Sequence, residues 1–403
     1  MTKISRTTDM TQGSEMRHII MFSLPLLAGN LLQQTYNIVD TMVVGRYLGD
    51  DALAAVGATG SITYLFYTLC IGLSVGAGII VAQYFGAGKK KALRSAIFNS
   101  ALVTAIFGIV ISLLSVPAAK PILELLNVPD KLIGDSAVYM QIACGGTIAV
   151  AAYNWINAIM RALGDSKTPL IFLGAASLLN ALLDLLFVVV FKFGIAGAAW
   201  ATVLTQALSA ISCIVYCFAV SGEIKLTADD MHADKDMMCR CVKTGVPIAI
   251  QNGLISVSMV ALQRVTNGFG EMVMAAYTVS MRIEQFVQQP FSSLNAAVST
   301  FTGQNIGAGK EKRAQKGLAC AIKISVIFSA VVLVLFTLFG GAITSWFVKG
   351  KTVISISAKA LIITSLFYWS LGIIHTTRGF LNGAGDTNYA LVNGMAEVIC
   401  RIG

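Results

Sequence analysis

Charge is scarce in this sequence: Asp, Glu, Lys and Arg make up 12% of 403 residues, about half the share of an ordinary soluble domain. Against that, 56% are hydrophobic and a further 37 are Gly, more apolar surface than a soluble globule of this length can hide. A water-soluble enzyme, a disordered chain and a disulfide scaffold are therefore excluded. Histidine is nearly absent: His18, His232 and His375 are too few and too scattered for a metal centre. The eight cysteines (70, 144, 213, 217, 239, 241, 320 and 400) form no CxxC pair and lie mostly in apolar runs, where Cys packs as a small apolar residue. A Walker loop is lacking too. In the Gly-rich turns, Gln83 stands where the leading Gly belongs and Lys310 is followed by Glu311, so a nucleotide-driven pump is excluded. The net charge of +9 comes from short loops, without the basic helix or aromatic platform that nucleic-acid binding needs. No nucleic-acid partner is expected.

What is present is a succession of apolar runs of bilayer-crossing length. They fall near 18–44, 52–84, 92–119, 132–160, 168–191, 195–220, 243–266, 272–305, 314–340 and 353–382, with an eleventh opening near 388. The spacing predicts an all-α polytopic membrane protein. Its expected parts are a cytoplasmic tail over 1–17, a first lobe of six helices over 18–220, a cytoplasmic linker over 221–242 and a second lobe over 243–403. The first span follows a polar tail without a cleavage pattern, and so reads as a retained helix. Lys89, Lys90, Lys91, Arg94, Arg161, Lys167, Lys225, Lys235, Arg240, Lys243, Lys310, Lys312, Arg313 and Lys316 fall on the same side as the N-terminus. The other side keeps a smaller set, which predicts an N-terminus in the cytoplasm.

The strongest signal is duplication. Gln83-Tyr-Phe-Gly86-Ala-Gly88-Lys89 returns as Gln304-Asn-Ile-Gly307-Ala-Gly309-Lys310, and Gly164-Asp165-Ser166 returns as Gly385-Asp386-Thr387. Gly49 with Ala54-Ala55 returns as Gly270 with Ala275-Ala276 in the same register, 221 residues on. Each unit holds six spans, so both enter the membrane in one direction and an axis along the membrane normal relates them. By this arithmetic twelve helices are expected, with the chain ending inside the eleventh.

Without ATP, transport needs an ion gradient and groups inside the bilayer that respond to it. Asp40, Asp184, Glu284 and Glu397 lie in or near spans, where a carboxylate is costly. Asn30, Gln33, Tyr36 and Asp40 follow one helix face, and Asn180 and Asp184 share another at i, i+4. Tyr139, Tyr153, Asn154, Asn157 and Arg161 line the fourth span, and Thr202, Thr205 and Gln206 the sixth. The repeat partners of Asp40 are the apolar Ala261 or Leu262, while Asn154 and Asn157 face His375 and Arg378. Such asymmetry predicts an ion site in the first lobe. A carboxyl in a partly dry cavity can exchange a proton, and Asp40, Asp184 and Asn180 could equally supply an oxygen cage for Na⁺. Pro25 permits a bend in the first helix that ion binding could bias.

Val39-Asp40-Thr41, the two GAGK turns, Arg161-Ala-Leu-Gly164-Asp165-Ser-Lys-Thr-Pro169, Asn180-xxx-Asp184 and Phe193-Gly-Ile-Ala-Gly-Ala-Ala199 together resemble the multidrug and toxic-compound extrusion (MATE) family, in its DinF-like branch. The resemblance implies a two-lobed antiporter of the inner membrane that exports cationic or amphiphilic compounds against H⁺ or Na⁺, with no resident cofactor. It implies a coupling-cation cluster at Tyr36, Asp40, Tyr139, Asn157, Asn180, Asp184 and Thr202. The substrate cavity is expected to take Gln33, Asn154, Gln251, Glu284 and Arg378. Where other members carry a helix-7 Glu, this sequence has Gln251, Asn252 and Ile255. The partners expected are small organic cations and the bilayer, with the chain acting as a monomer.

Two other readings are weighed. A flippase for lipid-linked oligosaccharide would want a cavity of Arg and Lys, which Arg282 and Arg378 offer only in part. A prenyl-transferring enzyme would want DDxxD, which Asp50-Asp51 and Asp229-Asp230 do not supply.

Overall fold

The computed structural model describes residues 7–126, 128–220, 225–227 and 230–402. The long apolar runs become helices. The first lobe holds α1 (Glu15–Leu48), α2 (Asp50–Gly86), α3 (Lys90–Leu125), α4 (Asp130–Gly145), α5 (Thr147–Ala162), α6 (Lys167–Asp184) and α7 (Gly194–Val220). The second holds α8 (Lys235–Asn267), α9 (Glu271–Gly307), α10 (Glu311–Ser345), α11 (Lys351–Ser365), α12 (Tyr368–Ala384) and α13 (Thr387–Ile402). Helices α1, α3, α8 and α9 continue through internal prolines. Among the described residues there is no strand.

Three departures from the expected spans have local causes. The fourth span breaks by 44° between α4 and α5 at Gly146, and the tenth by 51° between α11 and α12. The two breaks occupy equivalent places in the two lobes. Just after Asp184 the fifth span loosens into a π-helical turn, Leu185–Val190. Such turns shift the side-chain register of a helix, often at functional positions.

Length and apolarity alone qualify five helices as spans, or up to seven with the two bent pairs. Helices α1, α8 and α9 are not among them. They carry polar residues on faces that lie between the lobes, where hydropathy stops marking membrane helices.

The duplication is legible in the backbone. Gly49 and Gly270 (φ 86 and 90), Gly88 and Gly309 (66 and 70), and Gly164 and Gly385 (82 and 94) stand at matching turns in the left-handed region, which L side chains rarely adopt. Polar caps set the helix starts. The Asp165 carboxylate accepts from the Lys167 and Thr168 amides at 3.0 and 2.9 Å, and Asp234 accepts from Asp236 and Met237 at the start of α8.

The linker is shorter than expected because α8 already begins at Lys235. Its described part is pinned to α3, where Asn99 accepts from the Asp234 amide at 2.8 Å and donates to the His232 carbonyl at 3.2 Å. Asp229 lies outside the described residues.

The tail also departs from expectation, since its described residues are packed rather than free. Met10 is buried, and its amide donates to Gln304 Oε1 at 2.9 Å. The Arg313 guanidinium donates to the carbonyls of Met10, Gln12 and Gly13 and pairs with Glu15 at 3.1 Å. Thr8 passes so close to Gly164 that a Cβ there would strike its carbonyl. Residues 8–15 thus strap the first lobe to the α9–α10 turn of the second.

Candidate functional site in the first lobe and between the lobes

The lobes meet through α1, α2, α8 and α9. Their close approaches run from Leu65 against Gly253 at mid-helix, through Gly72 against Ala249 and Gly76 against Gly245, to the helix ends at the strap. There Gly86 abuts the Gln304 backbone and Gly307 abuts the Gln83 backbone, a reciprocal pair. A second seam packs Ile19, Phe22 and Leu26 of α1 on Leu294, Val298 and Phe301 of α9, with Asn30 donating to Ser293 at 3.1 Å. One face of the bundle is closed by these contacts. Towards the other face the same helices expose Thr35, Asn37, Ser61, Tyr64, Arg282 and Gln285. Polar side chains at membrane depth belong to a wet gap rather than to lipid.

Inside the first lobe, Asp40 from α1 and Asp184 from the end of α6 face each other at side-chain contact distance. Tyr36 and Tyr139 lie beside them, Tyr67 of α2 lies next to those two tyrosines and donates to the Ala143 carbonyl at 3.0 Å, and Thr202 of α7 lies next to Tyr36. Asp184 is 0% exposed and Asn180 1%. Among the described residues, Asp40 Oδ1, both carboxylate oxygens of Asp184 and Asn180 Nδ2 have no hydrogen-bond partner of opposite sense. Two carboxylates meeting without a donor cost several kcal/mol if both stay charged. A proton shared between them, or a cation bound by them, removes that cost. Four helices hold the pair: α1 and α6 supply the acids, and α4 and α7 place Tyr139 and Thr202 around them.

The other expected positions divide. Asn157 is buried beside Tyr153, one turn away on α5. Asn154 donates to its own helix at Val150, 2.8 Å. Gln33 lies with Tyr36, Tyr153, Thr205 and Gln206 around a cavity of about 10 Å³, room for about one water. In the second lobe Gln251 is buried against Gly394, between α8 and α13. Glu284 meets the Tyr368 hydroxyl, and Arg378 pairs with Glu397 at 3.1 Å and Asn393 at 2.6 Å. The second-lobe charges are thus engaged inside their own lobe. Tyr67 is the member of the first-lobe cluster that sequence reasoning missed. It lies on α2 in a row with Thr59, Thr63 and Ser74 that carries no charge to single it out, and only the fold brings it to Tyr36 and Tyr139.

Two lobes of bundled helices around a gap closed at one face, with a pair of acids meeting inside the first, define a multi-pass membrane transporter and not an enzyme. The MatE family profile matches residues 25–186 and, a second time, 247–403, so the chain belongs to the MatE family. It is 30% identical over 393 residues to the probable multidrug resistance protein YoeA of Bacillus subtilis, across 96% of this chain and 85% of that one. It is 29% identical over 386 residues to the probable multidrug resistance protein YpnP of the same organism, across 95% and 86%. The fold matches a crystal structure of MATE in the straight conformation with a TM-score of 0.91, at 23% identity and covering 98% of this chain and 89% of that one.

Proposed function

We propose that this chain exports cationic or amphiphilic organic compounds by alternating access of its two lobes, driven by H⁺ or Na⁺ entering through the first lobe. One observation carries the reading: the Asp40–Asp184 pair, with Asp184 fully buried and without a protein donor for its oxygens. Such a pair changes its preferred surroundings when a proton or cation arrives, and so can bias the position of α1 against α6 and α7. The strapped face then lies towards the cytoplasm, in keeping with the Lys and Arg distribution, and the wet gap opens outward. The chain works as a monomer, because the gap lies between lobes of one polypeptide. The pairing of Arg378 with Glu397 speaks against a cavity built for the anionic head of a lipid-linked oligosaccharide.

The test follows a fluorescent lipophilic cation in proteoliposomes under an imposed pH gradient and then an Na⁺ gradient. Membrane potential is clamped in both arms, since 100 mV contributes about 2.3 kcal/mol per charge. One gradient should drive export, and Asp184→Asn and Asp40→Asn should each abolish it. Export that survives both substitutions would remove the first-lobe pair from the mechanism.

A further inference from the structure

The closed face contains a recess between the lobes that the ion pathway does not use. A cavity of about 120 Å³ lies between the lobes, lined by Arg161 and Ala158 of the first and by Ser292, Asn295, Ser299, Thr300 and Asn382 of the second. Arg161 is the last-turn residue of α5. Among the described residues its guanidinium makes no hydrogen bond or ion pair, and the Tyr153 ring is the titratable group in electrostatic reach. Asp165, the nearest carboxylate along the chain, is occupied with capping α6. No Asp or Glu lines the cavity. Asn382 Oδ1 is buried there without a partner, so its amide is free to turn its NH₂ inward.

The repeat register shows how this arose. Arg161 and Asn382 are equivalent positions, as are Gly78 and Ser299, and Ile79 and Thr300, so the cavity straddles the axis relating the lobes. One side contributes a single fixed positive charge and the other contributes hydroxyls and amides. A half-buried guanidinium with no counter-charge beside it favours an anion in the adjoining recess. Donors from both lobes converging on that charge provide the coordination a small anion needs.

We propose that this cavity binds one small monovalent anion of the chloride class, held by Arg161 and by hydroxyl and amide donors from the second lobe. The site is complete only when the lobes are closed on this face, because its charge and its remaining donors belong to different lobes. The anion therefore acts as a removable clasp on the seal: binding favours the closed face, and opening that face releases the anion. The proposal concerns anion binding alone and stands whatever compound or coupling ion the protein carries.

The test is equilibrium binding of radiolabelled chloride to the purified full chain in nanodiscs, at constant ionic strength with gluconate as the balancing anion. Saturable binding at one site per chain is expected, displaced by bromide and not by gluconate. Arg161→Gln should weaken it about ten- to a hundredfold, the range for losing a charge-assisted hydrogen bond. Ser299→Leu keeps the guanidinium but fills the space, and should weaken binding as well, which keeps the test valid if Arg161→Gln fails to fold. Lys89→Gln, a surface control, should leave binding unchanged. Absence of saturable binding in the unaltered chain would mean a cavity filled by water and overturn the proposal. Undiminished binding in Ser299→Leu, or in folded Arg161→Gln, would place the chloride on the surface with the same result.

Discussion

Replacing Gly86 or Gly307 by Ala tests the closed face directly. Both residues end helices, at α2 and α9, with ordinary negative φ. In isolation Ala would stabilise each helix by about 0.5–1 kcal/mol. Here the added Cβ would land on the backbone of Gln304 in one case and of Gln83 in the other. Backbone cannot rotate away as a flexible side chain can, so relief requires the lobes to part. Overpacking of this kind costs about 1–3 kcal/mol, and an energy of that size shifts a two-state balance about 5- to 150-fold. The two contacts relieve through one motion, so the double variant should shift little further than either single one.

Spin labels at positions 91 and 312, both exposed beside the two turns, would report the lobe separation in nanodiscs by electron–electron distance measurement. The exposed Cys239 and Cys400 would first be replaced by Ser. Each single variant should move population to longer distances. An unchanged distance distribution with a raised melting temperature would mean that only helix propensity had been felt, and would refute the seal. Fully additive shifts in the double variant would refute the single shared motion.

Arg313→Gln should release residues 8–15, since it removes bonds to three carbonyls and the Glu15 pairing. A local loss of about 2–4 kcal/mol is expected, read as faster hydrogen exchange over 8–14 with the bundle unaltered. The Asp230 carboxyl lies below the usual carboxylate range, chiefly through the Thr227 hydroxyl, with the Thr227 amide and Arg94 helping. Its pKa is lowered by folding, so its contribution is present above about pH 4 and fades as pH falls through the folded value. Hydrogen exchange of the connector should accelerate in that acid range, and Thr227→Val should move the onset to higher pH. Glu397→Gln should lower the melting temperature by removing the counter-charge of the half-buried Arg378, which keeps its bond to Asn393, whereas Arg378→Met with Glu397→Met should recover most of the loss. Equal damage from single and double changes would show that the pair does not act as a unit.

The lobes, the spans and the duplication were legible because each rests on patterns many residues long. A bilayer-length apolar run or a repeated Gly-Ala-Gly-Lys turn survives local irregularity. The acids were legible for another reason, since a carboxylate within an apolar run is costly enough to need a cause. What escaped was whatever depends on one residue meeting another far away in sequence. Tyr67 reaches Tyr139 only through the packing of α2 on α4. The strap was unreadable because a polar tail that docks through its backbone carbonyls has the composition of one that does not. The breaks at Gly146 and Leu366 lie inside continuous apolar stretches, and hydropathy averages over them.

The two copies have diverged unevenly, and the pattern separates parts that must move together from parts that do chemistry. Gln83 and Gln304, and Gly86 and Gly307, are the same in both lobes and lie where the lobes touch. A shared motion about an axis requires matched surfaces on either side of it, so a change in one copy alone would leave a step at the seam. Asp40 against an apolar partner, and Arg161 against Asn382, differ, and each lies where the two proposed ion sites would place charge of one sign in one lobe. A second carboxylate pair mirrored in the other lobe would double the unpaired charge for a single stroke, and a second guanidinium on the axis would repel the first across a cavity of about 120 Å³. Symmetry is therefore expected to persist at the hinge and seal, and to fail wherever an ion is held.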